Sequence, residues 1–256
     1  MCPSSALSGA KDGGSSDMPQ RRHAVYYAPE RGSPLDRFGG RWLGRDAWTG
    51  EPLDLPPLEG LTAERHREIT ADARRYGFHA TLKPPFALAA DCSTQALREA
   101  VAEFAARQAP FETPPLMLAA LGGFLALVPS APCAALERLA AAAVRDLDAF
   151  RAPPSPAELD RRRAAGLTAR QEEHLRRWGY PYVMDEFRFH LTLTARLAAP
   201  ERGRVARLLQ PLTAPLCRDP LPVESICIFE QEMPEAPFRI AGRFRLGGRP
   251  PQHDAA

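Results

Sequence analysis

The chain has 256 residues, 45% of them hydrophobic, with 33 basic and 31 acidic side chains for a formal net charge of +2. This length suits one large domain or two small lobes, and the apolar content is ample for a core. The near-neutral balance gives no global field that argues for nucleic acid, and no segment approaches the roughly 20 apolar residues of a membrane helix.

Residues 1–21 are rich in Ser and Gly and have no apolar signal core, so they read as a disordered tail. Residues 22–28 read as a first strand, 38–48 as a helix and 52–60 as a proline-rich loop. A strand over 78–83 follows, stopped by Pro84 and Pro85. Leu97, Val101, Phe104 and Ala105 recur at helical spacing over 94–108. Residues 115–120 and 124–128 look like paired strands, with Gly122 and Gly123 between them as a hairpin turn. Leu136, Leu139, Ala143, Val144 and Leu147 mark another amphipathic helix.

Residues 151–185 are too long for a simple connector. They begin proline-rich and contain a helix over 158–178, which reads as a lid or an outer helix. The basic run there, Arg161 to Arg163 with Arg176 and Arg177, is interleaved with Glu158, Asp160, Glu172 and Glu173. A solvated helix face is the expectation for such a run. The second half then repeats the order of the first. A strand over 187–194 precedes a helix with Val205, Leu208, Leu209 and Leu212, and strands over 222–230 and 237–246 close the chain before a flexible tail, 248–256.

The two leading strands of this repeat carry one motif. His79-Ala80-Thr81-Leu82 and His190-Leu191-Thr192-Leu193 each put a histidine two residues before a threonine. By composition a given histidine has about a 4% chance of that neighbour, so two hits among six histidines are unusual. Side chains alternate across a strand, so each His-Thr pair projects from one face, with Phe78, Ala80 and Leu82, or Phe187, Phe189, Leu191 and Leu193, on the other. Two imidazoles can supply a base and an acid near neutral pH, and two hydroxyls can hold a phosphate. Lys83, Arg188 and Thr194 lie on the same polar faces and are further candidates, the two cations for a second phosphate. Tyr26, Tyr27 and Tyr76 are cleft or packing residues. His23, His66, His174 and His253 have no partner in sequence and read as structural or surface groups.

Cys2, Cys92, Cys133, Cys217 and Cys227 are odd in number and lack any C-x-x-C pair, so neither a zinc site nor a disulfide framework is indicated and reduced thiols in the cytoplasm are expected. No carboxylate cluster or His/Cys ligand set accompanies the motifs. The expected chemistry needs no metal and no cofactor.

These motifs resemble the 2H phosphoesterase superfamily, named for its two histidines. The longer strings resemble its bacterial phosphonate-metabolism branch: residues 37–46 (RFGGRWLGRD), 76–86 (YGFHATLKPPF), 178–183 (WGYPYV) and 187–194 (FRFHLTLT). The resemblance spans about residues 22–247. It implies an α+β, two-lobed, pseudo-twofold domain with antiparallel sheets around a central cleft and helices outside, interrupted by the 151–185 insertion. It implies metal-independent phosphoester chemistry, with His79 and His190 as the catalytic pair and Thr81 and Thr192 as the phosphate-holding hydroxyls.

The expected partner is a small phosphorylated substrate on a monomeric protein with no membrane contact. The resemblance's link to phosphonate breakdown suggests a ribose cyclic phosphate bearing a 5-phosphate. An RNA-end 2′,3′-cyclic phosphodiesterase or 2′-5′ ligase-like enzyme is the alternative. It needs a basic groove, which the near-neutral charge weakly disfavours. A non-catalytic phosphate-binding module is the third reading. Which histidine is acid and which is base stays open at this point.

Overall fold

Strand β1 (Arg22–Tyr27) is almost wholly buried, as befits an interior strand, and its two faces serve two cores. Val25 and Tyr27 join the main core, whereas Ala24 and Tyr26 join a smaller cluster with Cys227, Phe229, Phe238 and Ile240. The computed structural model describes residues 21–248. Apart from Arg21 and Gly248, the tails expected over 1–21 and 248–256 lie outside the described residues.

The first sheet has the order β2-β1-β8-β9, all antiparallel, with β2 spanning Ala80–Ala87, β8 Ser225–Gln231 and β9 Arg239–Arg245. The second has the order β4-β5-β6: β4 (Leu116–Leu121), β5 (Phe124–Pro129) and β6 (Leu191–Thr192). Each sheet therefore carries one motif strand. The halves exchange hairpins, however: the first motif strand shares a sheet with the β8–β9 hairpin, and the second pairs with the β4–β5 hairpin of the first half. The short strands that precede the hairpins, β3 (Phe111–Thr113) and β7 (Leu221–Val223), pair with each other, Glu112 opposite Pro222. This is the expected α+β, two-lobed, pseudo-twofold architecture, with the repeats interlocked rather than side by side.

Two strand expectations are corrected. Pro84 and Pro85 do not end β2. It is an edge strand, where a missing N–H is tolerated, and the pairs His23–Phe86 and Val25–Lys83 leave the two prolines in a register slip. The second motif strand is shorter than 187–194, because only Leu191 and Thr192 join a ladder. Beyond it Leu193 N still donates to Leu125 O of β5 at 2.9 Å, but helices take other groups: the Trp42 indole donates to Leu193 O at 2.7 Å, and Ala195 N donates to Ile69 O at 2.6 Å.

Helix α1 (Pro34–Leu43) starts earlier than expected, because Ser33 caps it and Pro34 opens it; Gly44 ends it in the left-handed region. Helices α2 (Ala63–Ile69) and α3 (Ala71–Tyr76) were not legible, being short and charged. Helices α4 (Thr94–Arg107) and α5 (Ala134–Asp146) pack on the first sheet. The insertion is two helices rather than one, α6 (Pro156–Arg163) and α7 (Ala169–Trp178), separated by Gly166 at φ +72 and restarted by a capping box at Thr168 and Gln171. Helix α8 (Ala199–Thr213) backs the second sheet. Among the described residues no helix is long and apolar enough to cross a membrane.

Candidate active site

Each motif histidine is set by the backbone two residues before it. Helix α3 ends at Gly77, whose φ of +80 turns the chain into β2. A side chain there would press on Ala47 Cβ at 3.0 Å and Arg45 Nη2 at 3.2 Å. The Gly77 carbonyl accepts a bond from His79 Nδ1 at 2.8 Å. On the other lobe the Arg188 carbonyl accepts from His190 Nδ1 at 2.7 Å. With Nδ1 carrying the proton in both neutral rings, both Nε2 atoms are left as bases. His79 Nε2 lies 3.3 Å from the Thr81 hydroxyl.

The rings differ in their surroundings. His79 stacks on Tyr26 with centroids 3.9 Å apart and 23° between planes, while His190 meets Phe124 at 5.7 Å with the planes tilted by 51°. Burial pushes the His79 pKa down to about 4, helped by the nearby His190 and Arg45 and opposed by the Gly77 carbonyl. Burial also lowers His190, opposed by the Arg188 carbonyl. Both rings are neutral at pH 7 in the free protein.

The histidines open onto adjoining cavities. The larger, about 770 Å³, is lined by His79, Thr81 and Thr192. The smaller, about 470 Å³, is lined by His190 and Arg188, and also by Thr81. The two share Thr81, Pro84 and Tyr180, so one cleft runs past both motifs. Tyr26 and Tyr76 line the larger cavity, whereas Tyr27 packs on Phe189 in the core with centroids 5.5 Å apart. The 151–185 insertion walls both cavities, through Arg161, Arg162 and Tyr180 on one side and Gln171 and Tyr182 on the other. Among the described residues no three His, Cys, Asp or Glu side chains gather as a metal-ligand set.

Two expected phosphate ligands are elsewhere. Lys83 is 1% exposed and donates to Val144 O and Asp148 Oδ1, each at 3.2 Å. A slip in the pairing with β1 sets Lys83 opposite Val25 of the main core, while Thr81 stays opposite Tyr26, so Lys83 turns away from the cleft to the end of α5, a change no local pattern reveals. Burial lowers its pKa to about 8. Thr194 is also buried, and its hydroxyl accepts the Leu125 N–H at 3.0 Å.

The string over residues 37–46 braces both motifs from behind. A Cβ at Gly39 would fall 1.9 Å from the ring of Phe78, the neighbour of His79, so glycine is required for that approach. Trp42 bonds to the second motif strand through Leu193 O and packs against His66, whose ring also bonds to Trp42 O. Arg45, 6% exposed, donates to Arg74 O and Phe238 O at 2.9 and 2.7 Å, tying the end of α3 to the approach to β9. Its burial brings its pKa down to about 10.

Sequence reasoning missed the cleft's arginines, Arg22, Arg75, Arg161 and Arg162. The last two were assigned to a solvated face on their charge run. Only Tyr180, inside the 178–183 string, hinted that this segment meets the cleft.

Comparison with known proteins identifies the chain's family. A family model described as "Protein of unknown function (DUF1045)" matches residues 81–239. A protein named ribose 1,5-bisphosphate phosphokinase PhnN from Janthinobacterium sp. (strain Marseille) is 37% identical over 232 residues, covering 89% of this chain and 51% of its own length. A protein of the same name from Laribacter hongkongensis (strain HLHK9) is 40% identical over 220 residues, 86% of this chain and 50% of its own. The chain thus spans about half the length of these relatives. Among solved structures, E. coli LigT complexed with 3′-AMP aligns with a TM-score of 0.38 and 13% identity over 90% of this chain and 99% of that one.

Proposed function

The chain belongs to the DUF1045 family, and from its site we propose that it hydrolyses a small cyclic phosphodiester by acid–base catalysis with two imidazoles and no metal ion. The observation that carries this reading is the matched anchoring of His79 and His190, each by the carbonyl two residues back and each followed by a threonine on the same cleft.

One Nε2 takes a proton from water as the water oxygen attacks phosphorus. The other imidazole, protonated, gives its Nε2 proton to the ring oxygen as the P–O bond breaks. The hydroxyls of Thr81 and Thr192 hold the non-bridging oxygens, where charge builds up. His79, stacked on Tyr26 and facing the fields of Arg45 and His190, is the ring that resists protonation. It serves as base and His190 as acid, once the bound anion has raised the pKa of His190.

The relatives' printed name points to phosphorylated ribose, in keeping with a ribosyl cyclic phosphate as substrate. Opening a 1,2-cyclic phosphate of ribose 5-phosphate at the C2 oxygen would give ribose 1,5-bisphosphate. The kinase activity in that name fits this chain less well. Its two lysines, Lys11 and Lys83, follow Ala10 and Leu82, so it holds no G-x-x-x-x-G-K-[ST] phosphate loop. A phosphokinase of that kind would draw its loop from the other half of the longer relatives. A panel of cyclic phosphodiesters assayed in EDTA, and of phosphoryl acceptors assayed with ATP and Mg²⁺, separates the readings. Turnover of a cyclic diester without ATP supports hydrolysis, and ATP-dependent transfer alone would overturn it.

A further inference from the structure

Four arginines line the larger cavity beside His79, and they reach it from three places: Arg22 on β1, Arg75 on α3, Arg161 and Arg162 on α6. We propose that they form a subsite for a second phosphate of the substrate, a phosphomonoester carried at a distance from the cyclic diester. This rests on the hydrolase reading for its catalytic consequence but concerns a separate anion.

The fold uses these arginines only in part: Arg22 Nε donates to Gln231 Oε1 at 2.7 Å and Arg75 Nη2 to Pro234 O, which leaves their other nitrogens. Arg161 has no ion pair or hydrogen bond among the described residues, although Arg163 beside it pairs with Glu172 at 2.8 Å. Arg75 and Arg162 each have a buried Nε without a partner. Such a group is costly to leave unpaired in a folded protein and is satisfied when an anion arrives. Two of the four lie over aromatic rings: the Arg162 guanidinium carbon is 4.7 Å from the centre of Tyr180 and that of Arg22 is 5.5 Å from the centre of Phe238. A guanidinium placed over a ring loses little rotamer freedom on binding, and its nitrogens not already bonded remain for an anion.

Carboxylates partly offset this charge. Asp72 and Glu235 also line the cavity, Glu235 lies 3.8 Å from Arg75, and Glu158 holds Arg162 Nη2 at 2.9 Å. Four guanidiniums still face two lining carboxylates, a surplus that suits one phosphate dianion. A polynucleotide would need a track of cations leading away, but these gather in one cavity of a chain whose net charge is only +2. The insertion thereby gains a purpose: it carries half of the subsite to a cleft that the two lobes alone would leave less charged.

The test compares adenosine 2′,3′-cyclic phosphate with and without a 5′-phosphate as substrates, and measures ribose 5-phosphate binding by calorimetry. The account predicts that the 5′-phosphate raises kcat/KM by about tenfold or more, the scale of one or two charge-assisted hydrogen bonds. Arg161→Gln, on an exposed side chain, should cut that preference several-fold and weaken ribose 5-phosphate binding, with Arg161→Lys intermediate. Arg75→Gln should do the same if it folds, but the conclusion does not depend on it. Equal kcat/KM for the two diesters, or ribose 5-phosphate binding indifferent to Arg161→Gln, would overturn the subsite while leaving the hydrolase reading intact. If neither diester turns over but ribose 5-phosphate binds in an Arg161-dependent way, the subsite stands and the hydrolase reading is decided by the wider panel of cyclic diesters. A marked preference for a longer oligonucleotide ending in a cyclic phosphate would assign the arginines to a polynucleotide and overturn the proposal.

Discussion

His79 and His190 are held by the same bond on opposite lobes: each Nδ1 donates to the carbonyl two residues earlier, Gly77 at 2.8 Å and Arg188 at 2.7 Å. The shared bond fixes the same tautomer in both rings, so their Nε2 atoms start as chemical equals. The surroundings then make them unequal, since only His79 stacks on a tyrosine and feels a buried guanidinium. A pair matched in geometry and divided in basicity is what a reaction with one base and one acid requires.

The brace behind the motifs predicts a loss of rate without contact with substrate. Trp42→Phe removes the indole N–H and leaves Leu193 O buried without its donor, at a cost of about 1–3 kcal/mol. Because Leu193 adjoins Thr192, kcat should fall while KM changes less. Thermal melts with steady-state kinetics check both parts. Unchanged kcat with lowered stability would show that the bond serves the fold alone.

Lys83 should prove structural. Lys83→Met removes a buried cation from Val144 O and Asp148, while Asp148 keeps two bonds from Arg151 at 2.8 and 3.0 Å. The expected result is a lower melting temperature with kcat/KM close to wild type. A large loss of kcat/KM in a folded variant would return Lys83 to the site.

This residue also marks where the sequence stops being informative. Period-two alternation puts His79, Thr81 and Lys83 on one face, and that holds only for His79 and Thr81: the register slips between Tyr26–Thr81 and Val25–Lys83, so Lys83 shares the face of Val25 and the main core. The slip depends on pairing with β1, and what Lys83 then meets depends on a helix more than 50 residues away. The motif strands, the β4–β5 hairpin and helices α4, α5 and α8 were legible because their apolar periods are strong and local. The exchange of hairpins between lobes was not, since any antiparallel pairing of the same strands satisfies the pattern. Arg161 and Arg162 were hidden for a related reason: a charge run looks alike whether it meets water or a cleft. Gly39, Trp42 and Arg45 stood inside a conspicuous string, but their roles exist only in contacts with Phe78, Leu193 and Phe238.

Stability should fall as pH drops below neutrality. Burial lowers the pKa values of His23 and His79 to about 4 and lowers those of His66 and His190 as well, all from an ordinary 6.5. Between those values and 6.5 the unfolded chain binds protons that the folded chain refuses, so unfolding is favoured as pH decreases. Each pH unit of separation is worth about 1.4 kcal/mol per histidine. Denaturant titrations at pH 7.5, 6 and 5 should show a steady decline. A flat profile would mean that these rings take up protons in the folded state.

The same shifts set the pH dependence of rate. Only the state with one neutral and one charged imidazole reacts, so kcat/KM should be bell-shaped, with both limbs reporting the coupled pair and its maximum below pH 6.5. A bound phosphate anion favours the charged ring and raises both values, so the bell in kcat should sit at higher pH than that in kcat/KM. A monotonic rise with pH through neutrality, with chemistry rate-limiting, would remove the acid role.

The most direct measurement of the central claim is single-turnover hydrolysis of a cyclic phosphodiester, in EDTA, by the wild type, His79→Ala and His190→Ala, with circular dichroism to confirm that each is folded. The account predicts full wild-type rate after chelation, a loss of about 10²- to 10⁴-fold for each histidine variant, and a smaller loss for Thr81→Ala and Thr192→Ala. A folded single-histidine variant with near wild-type rate, or activity abolished by EDTA and restored only by one divalent ion, would contradict it.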